Sequence, residues 1–393
     1  MSRGMPFPYE MAVNPALVNM DPDGLSTVVE MFRHQHARGA FPGGQLVIRR
    51  HGKMVLNLAI GLARGFRASD DAGSMDVNVE TAFPVYSAGK PLFAIAIAML
   101  EERGLIQLKA PISETIPAFS SHGKEQLTIL DLLTHTAGMI VPSLQRDYKR
   151  MGDRGFLLDL IIDARPMYKR GTFAYMPWES GIILCEVVRR VTGQTLAEFI
   201  ADEIAVPLDL PSLRYGLANR ALNQLAYSYW LGSDKCMIAS CNVADNFEAI
   251  FNSMELFTSM NPSTSLVTDA ASLAIFYEFL INKGVTRTGK QLVSERAINQ
   301  YTTRVLSGWN KSFHSLLSVS PGFMVGTRFM PSVYGWWNTA GCFGHAGALS
   351  SLAFGDSKKG LAVAITTNGN RSIPDFTKRF MPLASRIRQA CLL

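Results

Sequence analysis

Cysteine is scarce in this chain: five residues in 393, an odd number with no Cys-x-x-Cys spacing. That excludes a disulfide-built scaffold and a zinc knuckle, and Cys185, inside an apolar run, reads as a small core residue. Long hydrophobic runs are also absent. The longest uncharged apolar stretch, Leu92 to Leu100, has nine residues, whereas a membrane-spanning helix needs about 20. The opening residues contain no apolar segment of the signal-peptide kind, so the expected location is the cytoplasm. No Gly-x-Ser-x-Gly, His-Glu-x-x-His or Walker-type phosphate loop occurs. The 38 basic and 32 acidic residues leave a net charge of +6. The basic residues are scattered, and Arg49-Arg50 and Lys358-Lys359 lack interleaved aromatics, so no nucleic-acid partner is expected.

What the chain does have is apolar mass. Hydrophobic residues make up 48% and charged residues 18%, enough for a large core, and the length suggests two or three units of about 150 residues. Residues 45–50 and 53–60 read as two strands joined by the His51-Gly52 turn. From Ala88 to Arg103 the pattern is helical, with Pro91 in the first turn and Gly104 at the stop. That helix is apolar on nearly every face and must lie between layers. The stretch 109–285 is mostly helical. Strands return at 322–326, 343–345, 349–354 and 361–366, and a helix over 371–389 closes the chain. The expected fold is α+β: an antiparallel sheet assembled from residues 1–108 and 286–393, flanked by helices, with 109–285 as a mostly helical insert. Within the insert, 215–264 is irregular and too long for a plain connection, so it is read as a substrate-facing lid or wall.

Ser87-Ala-Gly-Lys90 is the segment most able to carry chemistry. A serine opening a helix and a lysine three residues later share a face. The helix start favours developing negative charge, and a buried lysine can lose its proton and serve as a base for the weak serine nucleophile. A serine at such a place also serves as a helix N-cap, its commoner job. Ser121-His-Gly-Lys124 has the same spacing, but it lies in a polar loop with no strand leading in and is treated as a decoy. His34 and His36 lack the helical i, i+4 spacing and the third ligand of a metal site, so no metal is expected.

Around this segment the chain resembles the serine β-lactamase and penicillin-binding-protein superfamily, most nearly the class C β-lactamase branch and the family VIII carboxylesterases that share its fold. The resemblance runs from about Phe41 to Asn368. It rests on Phe41-Pro-Gly-Gly with the following hairpin, the segment Thr81 to Pro91, Leu132-Leu-Thr-His135-Thr-Ala-Gly-Met139, Gly171-Thr-Phe-Ala-Tyr175 through Glu186, Val191-Thr-Gly193, Phe343-Gly-His345-Ala-Gly347, and the strand before Thr366-Thr-Asn368. It implies Ser87 as the acylated nucleophile, Lys90 as its base, and Tyr175 as a phenol, or phenolate, that relays the proton. The N–H groups of Ser87 and Ala348 would form the oxyanion hole, and the His135 segment would be a structural turn. No organic cofactor is implied.

Two positions depart from the lactamase pattern. His345-Ala346-Gly347 stands where the lactamases carry Lys-Thr-Gly, leaving an imidazole to donate to the tyrosine or substrate, with Gly347 giving close access to the strand. Pro177 stands where they carry asparagine, so an amide that would grip a substrate carbonyl is missing. Both point away from lactams and toward a small-molecule acyl ester of small or medium chain. Trp336 and Trp337, just before the third motif, are read either as lining of the acyl pocket or as ordinary packing. The expected function is therefore a serine carboxylesterase. An acyltransferase of the same fold is its nearest rival; a lactamase or peptidase and a non-catalytic acyl-binding sensor rank lower.

Overall fold

The computed structural model describes residues 9–10, 13–67, 73–146, 148–217, 224–238, 241–259 and 261–392. Its centre is a ten-stranded sheet drawn from both ends of the sequence. The early part supplies β1 (Gly43–Arg50) and β2 (Lys53–Arg64). The late part supplies β3 (Leu306–Asn310), β4 (Ser315–Ser320), β5 (Phe323–Val325), β6 (Cys342–Gly347), β7 (Ser351–Asp356) and β8 (Leu361–Thr367). Across the sheet the order is Tyr9–Glu10, β2, β1, β8, β7, β6, β5, β4, β3, with Met75–Asp76 pairing on β2, and every pair is antiparallel. β8 beside β1 is the seam between the two ends of the chain, with Ala364 opposite Val47. The β1–β2 turn has His51 at φ 49° and Gly52 at φ 80°, the doubly left-handed turn whose twist matches the strands it joins.

Period-2 alternation gives the two faces different residues. Leu46, Ile48, Leu352, Phe354, Val363 and Ile365 face one way, toward α1 (Pro22–Ala37) and the C-terminal α5 (Ile373–Gln389). Val47, Ala353, Ala362 and Ala364 face the other way. Small side chains on that second face let two apolar helices approach closely: α2 (Lys90–Glu102) and α4 (Ala270–Ile281). Every residue of α2 from Lys90 to Leu100 is buried, as its all-round apolar pattern requires. α4 falls inside the 109–285 stretch but packs on the sheet, where Glu278 grips the buried Arg49 of β1 through both oxygens, at 3.1 and 3.0 Å. The helices between α2 and α4, including α3 (Glu179–Thr192), pack their apolar residues into the same core as α2. No helix among the described residues is long and apolar enough to cross a membrane.

The β3–β4 hairpin has no counterpart in the sequence reading. Its strands, Leu-Ser-Gly-Trp-Asn and Ser-Leu-Leu-Ser-Val-Ser, form the sheet edge, and their outward positions Trp309 and Leu316 are exposed. Apolar side chains at these outward positions break the inward-apolar, outward-polar alternation that marks a strand solvated on one face.

Candidate active site

The Ser87 turn is built by strand pairing on one side and sheet contact on the other. Phe83–Pro84 pairs with Val267–Thr268, and the Val85 N–H donates to the Leu266 carbonyl at 3.1 Å. Residues Tyr86–Gly89 then form one 3₁₀ turn that runs directly into α2. Tyr86 is held at φ 49°, a left-handed conformation that costs a bulky residue about 1–3 kcal/mol and recurs at functional sites. Its ring packs edge-on against Phe251 at 5.0 Å, and its hydroxyl bonds the Ser228 hydroxyl. Neither helical element here carries a side-chain cap bond, so Ser87 is no N-cap.

The Ser87 side chain turns instead to the site. Tyr175 Oη donates to Ser87 Oγ at 2.8 Å, and Ser87 Oγ lies 3.4 Å from the Ser263 carbonyl. Lys90 Nζ is one step away, donating to Ser263 Oγ at 2.6 Å and to the Pro177 carbonyl at 3.2 Å, and it sits 5.5 Å from the centre of the Tyr175 ring. Ser263 thus touches serine through its carbonyl and lysine through its hydroxyl. The sequence carries no sign of this role beyond a polar Asn261-Pro-Ser263-Thr-Ser265 run. Only the pairing of Phe83–Pro84 with Val267–Thr268 brings that run beside α2.

Tyr175 is clamped from all sides. Its ring lies between His135 (4.5 Å) and Phe313 (4.8 Å), and its carbonyl accepts from Ser312 Oγ at 2.8 Å. His135, at φ 58°, accepts the Ala174 N–H on its carbonyl and the Met176 N–H on Nδ1 at 3.2 Å. An accepting Nδ1 means a neutral ring protonated at Nε2, in keeping with burial that holds His135 well below its usual range. The segment is the structural turn expected of it, and it positions the phenol.

Burial sets the charge states. It lowers Lys90 from 10.5 to about 7, while the carboxylate charge of Glu179 works in the opposite direction. It raises the Tyr175 phenol from 10. Of the two expected forms of Tyr175, phenolate is therefore the disfavoured one, and the lysine is the group poised near neutrality. Glu179 is the other residue that sequence reading passed over. Buried itself, it accepts the Val141 N–H at 2.8 Å and the Trp178 N–H at 3.2 Å, and burial raises its carboxyl.

Gly347, at the end of β6, admits the serine turn rather than a substrate chain, and it is not among the residues that line the cavity. A Cβ there would fall 1.9 Å from the Val85 carbonyl and 2.9 Å from the Ala88 nitrogen, so only glycine lets β6 abut the serine turn. Ala348 follows and lines the cavity with Ser87. Its N–H has no acceptor among the described residues, as an oxyanion donor requires.

His345 differs from expectation. It is buried on the opposite face of β6 from the cavity-lining Ala346, its Nδ1 lies 2.6 Å from the Ala346 carbonyl, and its ring is 6.0 Å from that of Tyr175. Burial, with Lys90 nearby, lowers it to about 3. It is a neutral packing partner with no hydrogen bond to Tyr175 among the described residues. Trp336 and Trp337 are a clear correction. Both are exposed, at 48% and 73%, and neither lines the cavity, because their loop is tied to the far end of α5 by Arg388 donating to the Trp337 and Asn338 carbonyls. Pro177 does line the cavity. In the second Ser-x-x-Lys, Lys124 is fully buried and bonds the Ile162 and Ala164 carbonyls at 2.6 and 2.8 Å, which makes it a structural anchor.

Over Ser87 opens a cavity of about 350 Å³. Trp178, Phe247, Phe251, Phe313, Leu317 and Met381 give it apolar walls, and among the described residues that line it Glu179 is the sole charged group. Ile238, Val243, Phe247, Phe251 and Thr264 come from the irregular 215–264 stretch, of which 218–223, 239–240 and 260 lie outside the described residues.

A sheet closed by both ends of the chain, with a Ser-x-x-Lys helix beneath it and a tyrosine on the serine, defines the class: serine hydrolases of β-lactamase-like fold. The chain belongs to the Beta-lactamase family, whose model matches residues 28–386. It is 27% identical over 365 residues to the Esterase/beta-lactamase LipL of Mycobacterium tuberculosis, a match spanning 87% of this chain and 80% of that protein. Two solved structures share the fold. A penicillin-binding-protein homologue from Caulobacter crescentus has TM-score 0.77 and 24% identity, over 94% of this chain and 98% of that one. A family VIII carboxylesterase has TM-score 0.76 and 22% identity, over 95% and 98%.

Proposed function

We propose that the protein is a serine esterase for uncharged esters with apolar acyl groups of small or medium size. The observation that carries this is Ser87 Oγ, bonded to Tyr175 at 2.8 Å and opening into an apolar cavity with no fixed cation among the described residues that line it. The relative named Esterase/beta-lactamase supports the esterase half of the reading. Ser87 Oγ attacks the carbonyl carbon. Its proton passes through the Tyr175 hydroxyl toward Lys90 and then to the departing alkoxide, which leaves as the alcohol. The Ser87 and Ala348 N–H groups hold the oxyanion. Water, giving a proton to the same relay, attacks the acyl-enzyme carbonyl carbon; the bond to Ser87 Oγ breaks, the relay returns the proton to that oxygen, and the acid leaves.

The lining argues against lactam substrates. A substrate carboxylate would meet apolar walls and the Glu179 side chain, and burying it unpaired costs at least about 2 kcal/mol, a factor of about 30. A volume of about 350 Å³ sits near the lower end of the range of small-molecule pockets, about 300–1,000 Å³, and suits modest acyl groups. The test is intact-protein mass spectrometry with a panel of aryl esters, alongside steady-state rates. A transient acyl adduct on Ser87 is expected, with neutral esters preferred over their carboxylate-bearing analogues by about 30-fold or more. An adduct that never turns over would favour a sensor, and faster release with added alcohols would favour acyl transfer.

The base makes a second prediction. Activity requires neutral Lys90, so kcat/KM should rise through about pH 7. Glu179 holds the lysine pKa up, so Glu179→Gln should shift that inflection to lower pH and raise the ratio of activity at pH 6 to that at pH 8. A pH–rate profile showing no shift, or a shift to higher pH, removes Glu179 as the lysine's counter-charge.

A further inference from the structure

The Ala348–Leu349 segment that follows β6 is held in a costly conformation. Ala348 has φ 35° and Leu349 φ 68°, consecutive left-handed residues without a glycine, each costing on the order of 1 kcal/mol or more. Both line the cavity. Part of the hold is local: Thr367 donates its N–H and its Oγ1 to the Ser350 carbonyl, at 2.9 and 2.8 Å. Ser350 N–H closes a turn on the Gly347 carbonyl at 2.9 Å, which fixes the far side of the loop and leaves the Leu349 carbonyl to be satisfied elsewhere.

That carbonyl is taken by Arg379. From the middle of α5 this buried side chain donates Nη2 to the Leu349 carbonyl at 2.8 Å and to the Gly369 carbonyl at 3.2 Å, and Nη1 to the Ala40 carbonyl at 3.3 Å. Its donors go to backbone carbonyls rather than to a carboxylate, and burial lowers it from 12.5 to about 10. A buried cation is costly to keep, and one whose bonds all go to backbone serves the placement of that backbone. The three carbonyls belong to the chain entering β1, the chain leaving β8, and the cavity loop.

We propose that Arg379 is a positioning residue for the oxyanion site. By fixing the Leu349 carbonyl it holds the Leu349–Ser350 peptide, and through it the left-handed course of Ala348 and Leu349, which keeps the Ala348 N–H aimed at the space over Ser87. This rests on the reading of Ser87 as nucleophile and of Ala348 as oxyanion donor. Arg379 itself does not line the cavity, and of the three residues whose carbonyls it bonds, Leu349 is the one that does.

The test compares wild type, Arg379→Met and Arg379→Lys, with Ser87→Ala in parallel, using a neutral aryl ester and an aryl boronic acid as a tetrahedral mimic. Loss of a direct oxyanion donor costs about 10²–10³ in kcat, so misaiming it should cost about 10–100-fold with KM within about threefold. Boronate affinity should weaken by a similar factor, and Arg379→Lys, which can reach one carbonyl, should fall between. If Arg379→Met does not fold, Arg379→Lys decides by the same two ratios. Unchanged kcat in a folded variant, or lost kcat with boronate affinity intact, overturns the proposal. Turnover surviving in Ser87→Ala would instead overturn the nucleophile reading beneath it.

Discussion

Replacing Ser87 by alanine should abolish ester turnover and acyl labelling, with kcat falling by at least about 10³-fold, whereas Ser121→Ala should leave both unchanged. The two serines share a sequence spacing and little else. Ser87 Oγ receives the Tyr175 hydroxyl and faces the cavity. Ser121 Oγ donates to the Ala118 carbonyl of its own turn, and its lysine is committed to the Ile162 and Ala164 carbonyls. The fold should survive Ser87→Ala, because the serine turn is held by the Val85 N–H on Leu266, by Ser351 Oγ on the Val85 carbonyl, and by the ring of Tyr86. Circular dichroism, mass spectrometry and rates on one short-chain aryl ester measure all of this. Activity lost with Ser121 and kept without Ser87 would transfer the nucleophile to the other motif.

The parts of the molecule legible in sequence are those where a local pattern and a global need coincide. α2 is apolar on every side because it is buried on every side, and β8 is continuous apolar chain because both its faces are covered. The Ser87–Lys90 pair was legible because one helix start carries both. Tyr175 came into view only through resemblance, since its approach to Ser87 depends on His135 and on Ser312-Phe313, two segments far from it in sequence. Ser263 and Glu179 were missed for a similar reason. A hydroxyl and a carboxylate acquire their roles from what folds against them, and neither lies in a pattern with the lysine they accompany. For Trp336 and Trp337 sequence left pocket lining and ordinary packing open, because nearness in sequence to β6 does not fix nearness to its cavity. The loop between them and β6 is drawn instead toward Arg388 and the end of α5.

The lysine carries the other large effect, and with it a contrast between activity and stability. Lys90→Met should be as inactive as Ser87→Ala, because it removes the base, and yet it should fold more stably than wild type. The reason is the depressed pKa. Unfolded, the ammonium keeps its proton up to about pH 10.5; folded, it holds it only to about 7. Below pH 7 both states are charged, and the folded state bears the full cost of the buried charge. Between pH 7 and 10.5 the unfolded chain binds the extra proton, so wild-type stability climbs with pH, and above that range the cost is gone. Methionine never bears it. Against that gain stand the Ser263 hydroxyl and the Pro177 carbonyl, which lose their donor, at about 1–3 kcal/mol. The difference should leave Lys90→Met ahead on the order of 2 kcal/mol near neutrality, a rise of a few degrees in Tm. The advantage should shrink toward pH 10. Thermal unfolding of both proteins at pH 6, 8 and 10 measures it. An inactive Lys90→Met that is less stable than wild type at pH 6 would mean that the lysine is held comfortably as a cation, and its role as the base would fall with that result.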